Sequence, residues 1–391
     1  MARVRLAALI AASRSAQASD LHLESGLPAC LRVRGQLRSV GEPIPGAELL
    51  AMARELIGEE RWPEFLERRS CDLSRTVAGA RLRINVLCTS RGVGLAVRFL
   101  ASFKASLANM NLHPDLLRLA QSQNGLVVVS GPTGSGKTST LAALIQEINA
   151  RERRHIVTLE APIEYALLPR QAFIRQREVG RDTPSFEQGL YDALREDPDV
   201  LMVGELRDPQ TMRLTLNAAE TGHLVLTTLH SATCAEALQR IVSAFPAEIQ
   251  SGICAQLADC LVGVVCQRMR FIESRGLRAP ECEVLLGTQP VKAVVRQGQF
   301  FKLQTALETG GNDGLFTFAR YREWMEKRTD WQTAPPETGS DEVPPAEGHL
   351  PPPRKAARAK ATGAAVGSDG AVEIGPVDED LTRILSELED K

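Results

Sequence analysis

The 391-residue chain lacks a charge imbalance: 46 lysines and arginines face 48 aspartates and glutamates, for a formal net charge of −2. Without a basic excess there is no electrostatic case for a nucleic-acid partner. The 8 cysteines, at 30, 71, 88, 234, 254, 260, 266 and 282, contain no C-x-x-C pair, which removes the usual signature of a zinc ribbon or dithiol redox centre. Cys254, Cys260 and Cys266 recur in an apolar stretch and read as buried free thiols in a reducing compartment. Nor does any stretch approach the roughly 20 apolar residues needed to span a bilayer, so membrane contact is expected to be peripheral. The opening, Met1 to Ala12, has Arg3, Arg5 and a short apolar run, but Ser13 and Arg14 interrupt it too early for a signal peptide. Leu6, Leu9 and Ile10 instead fit one face of an amphipathic helix.

What is present is ample apolar material, 43% of residues, spread over a length that suggests two domains plus connecting or terminal segments. Residues 1–100 alternate a helical opening with strand-like runs at Ala29–Val33, Arg81–Leu87 and Gly94–Phe99, separated by turn signals at Gly26, Pro28, 41–45 and Gly92; an α+β domain is expected. Residues 101–115 read as a linker. Beyond them, Gly125–Ser130, Ile156–Glu160, Val200–Val203 and Leu224–Leu229 are short, rich in β-branched residues and not alternating, as strands buried on both faces of a parallel sheet should be. Helical segments lie between them, so residues 116–328 are expected to form an open α/β domain. From Thr329 to Lys391, repeated prolines with Ala, Gly, Ser and acidic residues predict a disordered tail. Within it, Leu381, Ile384, Leu385 and Leu388 share one helical face over Val377–Lys391, which suits either a partner-binding helix or a solvated end.

The strongest signal is Gly131-Pro132-Thr133-Gly134-Ser135-Gly136-Lys137-Thr138, a complete G-x-x-x-x-G-K-T between a strand and the helical run from Ser139. In that setting the pattern is a phosphate-binding loop. Glycines let the backbone curl so that N–H groups face phosphate oxygens, and the helix adds its positive N-terminal end. Lys137 is expected to reach the β- and γ-phosphates of ATP, and the Thr138 hydroxyl to ligate Mg²⁺.

Three further stretches, Leu194–Asp208, Ala218–His230 and Ile156–Glu164, resemble the Walker B, His box and Asp box of secretion ATPases. Ala18–Pro28, Gln176–Gly180 and Phe245–Glu248 extend the likeness over roughly residues 5–310. The chain is thereby identified as a member of the secretion ATPase superfamily of P-loop motors and resembles the PilT/PilU-like family of type IV pilus retraction ATPases. The resemblance implies a PAS-like first domain followed by a RecA-like ATPase domain, a homohexameric ring, and ATP hydrolysis that drives pilus disassembly from the cytoplasmic side of the inner membrane. Its implied partners are a pilus platform protein and a paralogous retraction ATPase.

Residue roles follow from the same resemblance. Glu205 matches the Walker B glutamate, suited to hold Mg²⁺ through water together with Thr138. Glu164 matches the catalytic glutamate that orients and deprotonates the attacking water, with Glu160 on the same loop as the alternative. His223 and His230 match the His box, yet seven residues of strand separate them by roughly 23 Å at about 3.3 Å per residue. Ligands in open α/β sheets bind beyond the carboxyl ends of strands, so His230 is expected at the γ-phosphate and His223 at an interface or in the core. Arg83, Arg91 and Arg98 stand where related ATPases place arginines that approach the nucleotide, and Arg83 and Arg98 are the candidate sensors; a solvated strand face is the alternative.

Two departures from the pattern matter. Ala161 replaces the aspartate of the motif Glu-Asp-Pro-Ile-Glu, which raises the reading of a weakly hydrolysing accessory ring subunit. Gln289–Gly298 keeps only the helical character and Arg296 of the retraction-specific motif. An assembly ATPase of a pilus or type II secretion system is the other alternative; such proteins usually carry a further N-terminal region and a four-cysteine zinc module that this sequence lacks.

Overall fold

A computed structural model of the chain describes residues 2–33, 36–100, 102–103, 106–332 and 338–339. The candidate helix at Val377–Lys391, and most of the tail expected from Thr329, lie outside the described residues.

The first part of the chain runs α1 (Ala2–Ser15), β1 (Asp20–Glu24), β2 (Ala29–Val33), β3 (Gln36–Val40), α2 (Gly46–Ile57), α3 (Trp62–Arg68), β4 (Ser70–Val77), β5 (Ala80–Thr89) and β6 (Gly92–Leu100). Its six strands form one antiparallel sheet in the order β3-β2-β1-β6-β5-β4. Alternation sorts the side chains of β5: Leu82, Ile84 and Val86 are fully buried against the helices, whereas Arg81, Arg83 and Asn85 take the other face. Helix α1 buries Leu6 and Ile10 and packs Leu9 against the same core, as its apolar spacing predicts. In α2, Leu49, Met52, Ala53, Leu56 and Ile57 make the covering stripe.

After the short strand β7 (Ser102–Phe103), which pairs with β15 (Thr338–Gly339) at the end of the described residues, comes α4 (Leu117–Ala120) and the second sheet. It is built from β8 (Gly125–Ser130), α5 (Lys137–Arg151), β9 (His155–Glu160), β10 (Phe173–Glu178), α6 (Phe186–Ala193), β11 (Val200–Val203), α7 (Pro209–Glu220), β12 (Leu224–Leu229), α8 (Cys234–Ser243), α9 (Ala247–Cys260), β13 (Leu261–Ile272) and β14 (Leu277–Leu286). The order is β10-β9-β11-β12-β8-β13-β14, parallel except for the antiparallel pair β13/β14. Helices α10 (Gln289–Arg296), α11 (Leu303–Thr309) and α12 (Phe318–Lys327) complete it.

Every residue of β8, β11 and β12 is buried, and the period of two divides them between two cores. Leu126, Val128, Leu201, Val203 and Val225 face α6 to α11. Val127, Val129, Val200, Met202, Leu224 and Leu226 face α4, α5 and α12. Strand order therefore brings the carboxyl ends of β8, β9, β11 and β12 together, the place where open α/β sheets bind ligands. The mixed α/β architecture expected from the sequence is present. Cys254, Cys260 and Cys266 are buried and unpaired.

Beyond α12 the described chain stays packed to Gln332. Its N–H donates to Asn111 Oδ1 at 2.9 Å and its carbonyl accepts from Asn111 Nδ2 at 2.9 Å. The Arg328 guanidinium lies between the rings of Trp324 and Trp331, 5.3 Å from each centroid.

Candidate nucleotide site

The glycine-rich loop leaves β8 at Ser130 and enters α5 at Lys137. Gly131, Gly134 and Gly136 have φ of +144°, +78° and +85°, a region that disfavours a side chain. At Gly131 a Cβ would also collide with the Gln267 carbonyl oxygen. Gln267, from β13, is 2% exposed; its amide donates to Ser135 O and its carbonyl accepts the Thr140 hydroxyl at 2.7 Å. One buried side chain thus ties the loop to the first turn of α5. No motif in the sequence announces Gln267, because the strand that carries it is distant in the chain.

Lys137 Nζ donates to the carbonyls of Gly131 and Pro132 at 2.9 and 3.0 Å and lies 3.5 Å from His230 Nδ1. Burial pulls its pKa below the usual lysine range, while the carboxylates of Glu205 and Glu164 oppose the shift. Its ammonium is held by carbonyl oxygens that phosphate oxygens can replace. The Ser139 hydroxyl is 2.8 Å from the Tyr165 hydroxyl, which links the start of α5 to the loop after β9.

Glu205 follows β11 by two residues. Its carboxylate pairs with Arg207 and lies 3.9 Å from His230 Nε2. His230 stands just past β12, its carbonyl accepting from Arg240 at 3.0 Å. Burial, then the Lys137 charge, lowers the His230 pKa despite Glu205, so the imidazole is neutral at physiological pH.

The end of β9 and the loop after it supply one more carboxylate each, Glu160 and Glu164. Glu160, 5% exposed, accepts from the Thr158 hydroxyl at 2.8 Å and Gln176 Nε2 at 3.0 Å. Burial raises its pKa to about 7, against the lowering effect of those hydrogen bonds. Ala161 precedes Pro162 through a cis peptide bond, and Glu164 lies three residues beyond Ala161.

One cleft of about 360 Å³ is lined by Thr133, Gly134, Gly136, Lys137, Thr138, Ser139, Glu160, Ala161, Glu164, Glu205 and His230, among others. Residues far apart in sequence, from four strand ends, therefore share one surface that combines the glycine-rich loop, a lysine, several hydroxyls and three carboxylates. His223 is elsewhere, at the amino end of β12, where its carbonyl accepts from Gly125 N and its ring contacts Ala218 O at 3.0 Å. Arg83 and Arg98 are cross-strand neighbours in the first sheet and do not line the cleft; Arg98 donates to Asp20 at 2.9 Å. Arg81 of that sheet does meet the second: its Nη2 is 3.8 Å from Glu178 Oε2.

Among the described residues no group of three His, Cys, Asp or Glu side chains is arranged to hold a metal by itself. Thr138 and Glu205 nevertheless present two oxygen donors to the cleft that receives phosphates. That fits Mg²⁺, which takes few protein ligands and completes its octahedron with waters and substrate phosphates.

Residues 4–298 match the family model described as "Type II/IV secretion system protein". The type IV pilus retractation ATPase PilT of Pseudomonas aeruginosa is 37% identical over 311 residues, covering 79% of this chain and 90% of that protein. The uncharacterized protein YggR of Escherichia coli is 39% identical over 311 residues, 79% of this chain and 94% of that protein. A crystal structure of the pilus retraction motor PilT with bound ADP superposes with a TM-score of 0.71 at 33% identity, covering 81% of this chain and 96% of that one. The family match over most of the chain, together with relatives named as retraction ATPases, places the chain in the type II/IV secretion system protein family, beside the type IV pilus retraction ATPases.

Proposed function

We propose that the chain is a subunit of a homohexameric motor that hydrolyses ATP to drive type IV pilus retraction, and hence twitching motility. The observation that carries this reading is the convergence of Lys137, Thr138, Glu164, Glu205 and His230 on one cleft. Lys137 gives up the Gly131 and Pro132 carbonyls to bind the β- and γ-phosphates, while loop N–H groups from Gly131 to Ser139 cradle the rest. Thr138 and Glu205 would hold Mg²⁺, which would neutralise charge on the phosphates. Glu164 accepts the proton of the attacking water, and neutral His230 senses the γ-phosphate.

The domain division proposed is 1–100, a PAS-like N-terminal domain; 101–115, a linker; 116–328, the RecA-like ATPase domain; and 329–391, a tail. The hydrogen bonds at Gln332 support counting 329–332 with the ATPase domain in any truncation. Arg83 and Arg98 act as sensors only if the first sheet moves or if they reach a neighbouring subunit's nucleotide; His223, remote from the cleft, serves packing at the β12 start or an interface. Among the described residues no helix is long and apolar enough to cross a membrane. The likeness to pilus retraction ATPases supports placing the ring on the cytoplasmic face, held at the inner membrane by the pilus platform protein, with a paralogous retraction ATPase as further partner and no nucleic acid.

Ala161 favours a second reading, a weakly hydrolysing accessory subunit, because it lines the cleft where the family motif carries aspartate. An assembly motor is the remaining alternative. Deleting the gene and counting surface pili separates them: extra, immobile pili support retraction, bald cells support assembly, and an unchanged count with slower twitching supports the accessory role.

A further inference from the structure

The loop that carries Glu164 has backbone groups that no strand partner satisfies, and buried backbone polar groups need partners. Strand β10 supplies them with side chains. Gln176 and Glu178 are two residues apart on β10 and so share one of its faces. The Gln176 amide donates to Glu160 at 3.0 Å and to Tyr165 O at 2.9 Å, and its carbonyl oxygen accepts from Leu167 N at 2.8 Å. Glu178, 8% exposed, accepts from Ile163 N at 3.5 Å. The residue after Ile163 is Glu164.

The same Glu178 oxygen faces two guanidinium groups, Arg81 Nη2 at 3.8 Å and Arg181 Nη1 at 3.9 Å. Asp182 anchors this corner: its carboxylate accepts from Glu178 N and from Arg181 Nε, each at 2.8 Å. Arg81 belongs to β5 of the first sheet, yet its side chain is only 9% exposed. A continuous path therefore runs from the first sheet through Arg81 and Glu178 to the backbone beside Glu164. The ion pair is buried, where Coulomb attraction is stronger than in water, but its 3.8 Å separation is long. Small movements of the first sheet can therefore tighten or break it without unfolding either region.

We infer that Gln176 and Glu178 are positioning residues that hold Glu164 in its catalytic geometry, and that Arg81 makes this geometry depend on where the first sheet sits. The inference rests on Glu164 being the base. It gives the first sheet a mechanical input to hydrolysis without placing any of its residues against the nucleotide. A base must lie within hydrogen-bond reach of its water, and a displacement of about 1 Å can cost on the order of 100-fold in rate.

The test is steady-state ATP hydrolysis by the full chain, read as kcat, beside equilibrium ATP binding and thermal unfolding. Gln176→Leu and Glu178→Ala are expected to lower kcat by about 10-fold or more with ATP affinity changed less than about 2-fold. Glu178→Gln keeps an acceptor for Ile163 N–H but loses the charge that faces Arg81, so it should fall only about as far as Arg81→Leu, and clearly less than Glu178→Ala. Arg81→Leu should lower kcat by roughly 3- to 10-fold in the wild type but have little further effect beside Glu178→Gln, because the two changes break one link; Arg81→Lys should retain most turnover. An unchanged kcat in Gln176→Leu and Glu178→Ala, with Glu164→Gln still inactive, overturns the positioning role alone. Parallel losses of kcat, affinity and thermal stability, without recovery in Glu178→Gln, overturn it in favour of a purely structural contact. Full turnover in Glu164→Gln removes the base assignment, and the inference with it.

Discussion

The two sheets of this chain are built to opposite plans. In the second, parallel strands end at one edge, and the cleft residues come from the loops just past β8, β9, β11 and β12. In the first, antiparallel strands bury one face under helices and none of their described residues lines the cleft; they approach its supporting loop through Arg81. Chemistry concentrates where strand direction is shared, because only a parallel edge gathers several loop starts at one place. The antiparallel sheet is suited instead to being moved as a body, with its effect carried through a buried ion pair.

The sharpest way to break this division is to remove the proposed base from the parallel edge. Glu164→Gln should keep ATP binding and lose turnover by about 100-fold or more, since general base catalysis contributes on the order of 10² to 10⁴. Glu160→Gln should retain far more activity, because Glu160 is buried and occupied by Thr158 and Gln176. If Glu160→Gln alone abolishes turnover while Glu164→Gln does not, the two roles are exchanged.

A smaller effect is expected at Ala161. Ala161→Asp returns a carboxylate to the cleft beside Pro162, and turnover should rise by a few-fold if the alanine weakens the site, as charged groups in a partly dry cleft act strongly on developing charge. An unchanged rate would show that the loop compensates elsewhere.

Glu160 itself offers a readout in stability. Because burial raises its pKa from 4.5 to about 7, the folded chain keeps a proton there that the unfolded chain releases between those values. Its contribution is favourable in full below pH 4.5 and is lost as pH rises to about 7. Glu160→Gln removes that loss. The melting temperature of the variant should therefore rise relative to wild type between pH 5 and pH 8, by the equivalent of up to about 3 kcal/mol. A pH-independent difference would show that Glu160 is ionised throughout.

The mildest change belongs to the antiparallel sheet. Arg98 is largely exposed and pairs with Asp20, which Arg32 also approaches at 3.9 Å. Arg98→Ala should cost no more than about 1 kcal/mol in chemical denaturation. A large loss of turnover with stability retained would mean that Arg98 meets nucleotide in the working ring.

How much of this was legible in the sequence follows the same division. The loop from Gly131 to Thr138 could be read directly, since a phosphate cradle is local in the chain. The four buried strands could be read because burial on both faces leaves uninterrupted β-branched runs. The separation of His223 from His230 followed from strand length alone. By contrast, β10, β13 and β14 carry polar residues at intervals, and Gln176, Glu178 and Gln267 acquire their importance from neighbours 9 to 132 residues away. Among the arginines of the first sheet, residues 81 and 83 sit on the same face of β5. The first of them is buried and lies beside Glu178 at the β10 end, and nothing in the local pattern distinguishes the two.

The most direct measurement is steady-state ATP hydrolysis by the purified full chain and by Lys137→Ala, with thermal unfolding as control. Lys137 donates to loop carbonyls and packs no core, so the variant should fold normally and lose about 100-fold or more of the wild-type rate. Undiminished turnover in a folded Lys137→Ala chain would contradict the assignment of this cleft as the site where ATP is hydrolysed.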